Sequence, residues 1–402
     1  MISMVLDLHL TTATLAGVVF IALISLSKKG NTPLGYRFLS FLFLSLAFVF
    51  AEELVEGYGL YNRYPALAIL FQPVIYVFAP LIYLSVYYLT TIDKKLTIRV
   101  ILHFIPYLLV LGLYVIVYLS KSPGQSMLSG ETEEDKQAEL LLLSLFFIQL
   151  LVYLVLSVRK LRQHRLTLPL FVSNLSANDY HWLFKTIIGL GLLSLLSLME
   201  VVVEQMNQPF YFSFIYLAGF YYIGVQIANQ KDVFAFSPQE RNSVTDLIHA
   251  QQHLPEKVIG IQEATGESSD REEGSVESRK VIPEHQLGMY KEKLLLLMQQ
   301  EKPYLDSELT LPKLAAWLSM NTYQASYLIN TCFAENFYSY INRYRLEECK
   351  RMLSGKEYDH LSILGIAFEC GFNSKTTFNT AFKKYTSLSP KEFKSQRSGQ
   401  PE

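Results

Sequence analysis

The chain predicts an all-α protein: a polytopic helical membrane bundle followed by a soluble all-α domain with two helix-turn-helix units. Three observations lead there. Half of its 402 residues are hydrophobic and the mean hydropathy is +0.22, unusual for a water-soluble chain of this length. The apolar residues are concentrated in long runs within residues 1–230. The C-terminal part then carries one amphipathic helix-pair pattern twice.

A helix needs about 20 apolar residues to cross a hydrocarbon core of about 30 Å. Seven stretches reach that length, at 5–27, 38–57, 66–90, 98–120, 138–158, 182–204 and 210–229. Helical spans satisfy their own backbone polar groups, as lipid demands. Pro73, Pro80 and Pro106 are expected to kink the third and fourth. The first stretch has no basic segment ahead of it and is followed by Lys28 and Lys29, so it reads as a retained anchor and not a signal peptide.

Orientation follows from the basic residues between spans. One set of loops and span ends holds Lys28, Lys29, Arg37, Lys94, Lys95, Arg99, Arg159, Lys160, Arg162, Arg165 and Lys185. The alternate set holds only Arg63, Lys121 and Lys136, with acidic Glu131, Glu133, Glu134 and Asp135 nearby. A positive-inside bias of this kind places the N-terminus outside and, after seven spans, everything from Lys231 onward in the cytoplasm. The expected location is a bacterial cytoplasmic (inner) membrane, crossed several times. Cys332, Cys349 and Cys370 all fall in the C-terminal part, which suits a reducing interior. Their spacing matches no metal motif, and Cys332 and Cys370 occupy apolar stripes.

Ionisable groups inside spans are costly and are often functional. Glu52 and Glu53 stand towards the outer end of the second span, with Glu56, and Glu200 and Glu204 share a face of the sixth. They are the candidate sensor residues. The plainer alternative is that they snorkel into headgroups or cap helices.

Residues 231–285 turn polar, and the string EATGESSDREEGSVESRK cannot bury enough apolar area to fold by itself. This segment is read as a flexible cytoplasmic tether. A soluble domain at 286–396 and a short tail at 397–402 follow.

The first helix pair starts at Leu311. Leu314, Ala315 and Leu318 continue its stripe, Asn321 and Thr322 mark the turn, and Ala325, Leu328, Ile329 and Cys332 form the second stripe. Its outward row is Tyr323, Ser326, Tyr327 and Asn330. The run NFYSYINRYRLEECKRMLSG has no internal breaker and predicts one long connecting helix. The second pair has Ile363, Ile366, Ala367 and Cys370, a break at Gly371, capping Asn373 and Ser374, and then Phe378, Ala381, Phe382 and Tyr385. Thr376, Asn379, Thr380 and Lys383 face the other way, with Lys375 at the helix start. Such side chains suit base edges and phosphates in a major groove.

These residues resemble the DNA-binding domain of the AraC/XylS family of bacterial transcription regulators. The resemblance covers 286–393 and is carried by IAFECGFNSKTTFNTAFKKYTSLSPKEF, LPKLAAWLSM and INRYRLEECKRML. It implies that Tyr323, Ser326 and Tyr327, then Lys375, Thr376, Asn379 and Thr380, contact bases. Two positions depart from the family pattern: Ala334 and Ser387 stand where glycine is usual. From Gln286 onward fifteen Lys and Arg face twelve Asp and Glu, so non-specific affinity is expected to be modest and salt-dependent.

No Walker-type glycine loop, dinucleotide glycine fingerprint or H-E-x-x-H string occurs, so neither an enzyme, a cofactor nor a metal is expected. The expectation is a membrane-bound one-component transcription regulator. Its expected partners are double-stranded DNA, the lipid bilayer and RNA polymerase, with a homodimer open and the signal ligand illegible. The competing expectation is a transporter or receptor with a C-terminal protein-docking domain.

Overall fold

The computed structural model describes residues 2–28, 32–91, 96–120, 133–174, 181–204, 210–230, 240, 243–245, 247 and 282–398. Two compact units form, one from Met1–His164 with Tyr180–Ala235 and the other from Arg165–Asp179 with Phe236–Glu402. The fold is all-α. Among the described residues no strand forms, and extended pairing is limited to an antiparallel bridge between Val172 and Thr310.

The first unit contains α1 (Ile2–Ser27), α2 (Pro33–Gly57), α3 (Ile75–Leu89), α4 (Ile105–Ser120), α5 (Glu133–Thr167, continuing into the second unit), α6 (His181–Glu204) and α7 (Phe210–Ala228). Pro33 opens α2, where its fixed φ and missing N–H cost nothing. α2 packs against both α1 and α3, and α1 also packs against α7. Small residues permit these close approaches. A Cβ on Gly35 would stand 2.6 Å from the Leu89 backbone nitrogen, and one on Gly224 would meet Ile21 at 2.9 Å.

Pro73 and Pro106 stand beside breaks in their stretches, whereas Pro80 lies inside an unbroken helix. The third stretch breaks into Leu67–Phe71 and α3 through a 3-10 turn at Gln72–Val74, with Pro73 in its first turn, while Pro80 lies inside α3. The fourth breaks between Arg99–Leu102 and α4, just ahead of Pro106.

Among the described residues, five helices are long and apolar enough to cross a membrane: Leu6–Ser27, Pro33–Gly57, Leu67–Leu89, Lys136–Leu170 and His181–Met199. Ile105–Ser120 and Phe212–Ala228 are apolar but shorter. At a rise of 1.5 Å per residue, α4 measures about 24 Å, less than a hydrocarbon core. The surface of this unit is itself apolar, since Phe20, Leu109, Ile116, Leu119, Leu151 and Leu192 are all exposed. Water would penalise such a surface and lipid would not.

Of the candidate sensor residues, Glu53 accepts a 3.0 Å hydrogen bond from Thr11 Oγ1, and Glu52 accepts one of 3.3 Å from Tyr61 OH. Glu200 and Glu204 lie on α6, but their side chains are outside the described residues.

The second unit contains α8 (Glu284–Gln300), α9 (Leu311–Leu318), α10 (Thr322–Phe333), α11 (Phe337–Ser354), α12 (Ile363–Glu369), α13 (Lys375–Thr386) and α14 (Pro390–Ser398). α8 packs against α9 and α10. Most of the 231–285 segment lies outside the described residues. Within it, Val244 and Leu247 are buried and Glu240 accepts a 2.9 Å hydrogen bond from Thr310 Oγ1.

Candidate nucleic-acid interface

Each helix of the two pairs is bounded by its own sequence. Thr310 caps α9 and Pro312 sits in its first turn, while Ser319, in the left-handed region at φ 59°, ends it. Asn321 and Gln324 then form a reciprocal capping box that starts α10. In the second pair Ser362 caps α12, Gly371 turns the chain at φ +88°, and Ser374 caps α13. Asn336 caps α11, the single helix that joins the pairs.

Gly371 has no substitute. Besides its positive φ, a Cβ there would stand 2.4 Å from the Tyr304 carbonyl oxygen.

The apolar stripes become two cores. Leu311, Leu314, Ala315, Leu318, Ala325, Leu328 and Ile329 are buried in the first pair. In the second, Ile366, Ala367, Cys370, Phe372, Phe378 and Phe382 pack with Leu346, Cys349, Met352 and Leu353 of α11. Phe372, Phe378, Phe382 and Phe393 contact one another in sequence at tilted to edge-on angles, with ring centroids 5.3–5.4 Å apart. One helix thus serves both as connector and as part of a core, which restrains the second pair relative to α11.

Two expected core positions differ. Tyr385 is 42 % exposed and donates a 2.6 Å hydrogen bond to Glu347 of α11, because the phenol finds a carboxylate at the rim. Cys332 is only half-buried near the end of α10, whereas Cys349 and Cys370 are buried.

The outward rows are placed unequally. Lys375, Thr376, Asn379, Thr380 and Lys383 are all exposed along α13, opposite the buried Phe378 and Phe382. Tyr323, Ser326, Tyr327 and Asn330 on α10 are half-buried. Each row presents one side of its helix. The N-terminus of α13 carries the positive end of its helix dipole beside Lys375, which favours anions there.

Residues 314–396 match the family model of a helix-turn-helix domain. The C-terminal segment is therefore similar to a helix-turn-helix DNA-binding domain. The match runs from within α9 through most of α14, including the connector. No curated protein and no solved structure matches the chain. Within the helix-turn-helix domain and the rest of the described residues, no group of three or more His, Cys, Asp or Glu is placed to hold a metal ion.

One feature of the helix-turn-helix domain escaped sequence reasoning. Arg345 is fully buried on the inner stripe of α11, flanked by Ile341 and Cys349 one turn to either side. Its guanidinium donates to the Tyr304 carbonyl (2.7 Å), the Asp306 carbonyl (2.7 Å), and the carbonyl and hydroxyl of Ser173 (2.9 and 3.0 Å). Burial pulls its pKa down to about 10. The sequence signal was available: an arginine at i+4 between two apolar positions of one helical stripe needs buried partners.

Proposed function

We propose that the chain is a one-component transcription regulator integral to the bacterial inner membrane, in which the helical bundle receives a signal and the AraC-type domain binds promoter DNA. The carrying observation is the exposed row Lys375, Thr376, Asn379, Thr380 and Lys383 on a helix whose opposite side is locked by two buried phenylalanines. In this reading Asn379 reads a base edge, Thr376 and Thr380 contact bases or sugars, and Lys375 and Lys383 engage phosphates. Tyr323, Ser326, Tyr327 and Asn330 enter a neighbouring groove.

The bundle crosses the bilayer seven times, with the N-terminus outside and the DNA-binding domain in the cytoplasm. The basic-loop bias and the apolar surface of the first unit support this. Residues 231–285 tether the domain at 286–396, and Glu52, Glu53, Glu200 and Glu204 belong to the signal-receiving part. Contacts with RNA polymerase and with a second copy complete the proposal.

Reporter enzymes fused after Glu402 test sidedness: a cytoplasm-active reporter works there and an export-dependent one does not. Chromatin immunoprecipitation of the tagged full chain then recovers discrete promoters. Activity of only the exported reporter excludes any contact with the chromosome.

A further inference from the structure

We propose that residues 168–174, the start of the connection between α5 and α6, are a built-in docking partner of the AraC-type domain, holding it to the membrane bundle independently of the 231–285 tether. The inference rests on the membrane reading above.

This short segment is buried as a core element is. Leu168, Phe171, Val172, Ser173 and Asn174 are each no more than 5 % exposed. Its backbone is paired with the domain: Leu311 N–H donates to the Phe171 carbonyl at 3.0 Å, and Ser173 N–H donates to the Leu309 carbonyl at 3.3 Å. The Ser173 hydroxyl donates to Leu309 O at 2.7 Å while accepting from Arg345. Ser173 also supplies two of the four acceptors around the Arg345 guanidinium. A domain lacking this strap would hold a buried cation with half of those bonds unmade.

The contact has a mechanical consequence. The strap meets the domain at the start of α9 and at α11, so it touches the leading helix of the first pair and the connector to the second. It is also the direct continuation of α5. A shift of the cytoplasmic end of α5 therefore acts where the two recognition helices are joined, and the tether need transmit nothing. Topology agrees, because in a seven-span chain the α5–α6 connection and the C-terminus, two spans apart, share one side.

The test uses the full chain with a site-specific protease site inserted between Gly266 and Gly274. Nuclease-treated membranes are cut and sedimented. The released-in-principle DNA-binding fragment is expected to stay in the pellet, and Val172→Asp is expected to move it to the supernatant in a trypsin-resistant form. Escape of the unmutated fragment, or equal retention of the Val172→Asp fragment, overturns the proposal. Should the Asp variant misfold, Val172→Cys with Thr310→Cys decides. These positions face each other across an antiparallel bridge, a geometry that admits a disulfide. Oxidation in membranes is expected to give a cross-linked band above the background of the parent chain's native cysteines, and no such band overturns the strap. Uncut chain that fails to sediment refutes the membrane reading instead, and the cross-link then still reports on the strap.

Discussion

Arg345 on the connecting helix grips Ser173, a residue 172 positions earlier, through both its carbonyl and its hydroxyl. All four of the acceptors around this buried guanidinium are neutral oxygens, so the charge is held by hydrogen-bond geometry and not by a contacting carboxylate. Ser173→Ala should destabilise the full chain by about 1–3 kcal/mol, the range for leaving a buried charged donor short of a partner. Arg345→Lys should cost at least as much, since an ammonium cannot reproduce the planar fork. Thermal unfolding in detergent measures both. Melting of Ser173→Ala at the wild-type temperature would show that the contact carries no weight.

Ala334 and Ser387 end α10 and α13 in the left-handed region, at φ 54° and 64°, where a Cβ is unfavourable. Replacing either with glycine should stabilise the domain by about 1 kcal/mol, net of the extra freedom glycine gains when unfolded. The opposite experiment, Gly371→Ala, should destabilise by more than this, because strain and collision with the Tyr304 carbonyl combine. Paired denaturation curves of the three variants check the order, and a destabilising Ala334→Gly would contradict it.

Tyr385 couples α13 to α11 through Glu347. Burial raises the Glu347 pKa, but hydrogen bonds from Tyr385 and Lys350 outweigh it and hold the carboxyl below the usual carboxylate range. A depressed folded pKa adds stability above the unfolded value of about 4.3, and this is lost as pH falls through the folded value. Tyr385→Phe should therefore cost less than about 1 kcal/mol at neutral pH, given the exposure of the pair, with the difference from wild type vanishing in acid. A gap that persists unchanged below about pH 3 would rule out the carboxylate as its source.

On α13, base reading and phosphate contact should separate. Asn379→Ala should lose about 1–3 kcal/mol of preference at one base pair, whereas Lys383→Ala should weaken all sequences alike and lower the salt slope by about one. Competition binding over a salt series distinguishes them. If both variants change only non-specific affinity, α13 is not a reading helix.

Much of this was legible in the sequence because it depends on local periodicity. Phe378 and Phe382, or Leu314 and Leu318, sit four apart and fall on one side of any helix, so both pairs and their connector follow directly. Caps such as Ser374 and breaks such as Pro73 are equally local. Tyr385 shares the same spacing but ends at the rim, because a phenol near Glu347 gains more from a hydrogen bond than from burial. The strap was illegible: residues 168–174 have no period, and their burial depends on Arg345, far away in sequence. Only the arginine on an apolar stripe hinted that some distant segment must supply oxygen.

The central claim is that a chain embedded in lipid reads DNA sequence through α10 and α13. Selection of the full chain, reconstituted in lipid nanodiscs, against a randomised duplex library tests it most directly. Enrichment of a sequence with two contact blocks about one helical turn apart, abolished by combined Asn379→Ala and Lys383→Ala, is the predicted result. Recovery of the library without enrichment at moderate salt, from protein shown to be folded, would contradict it.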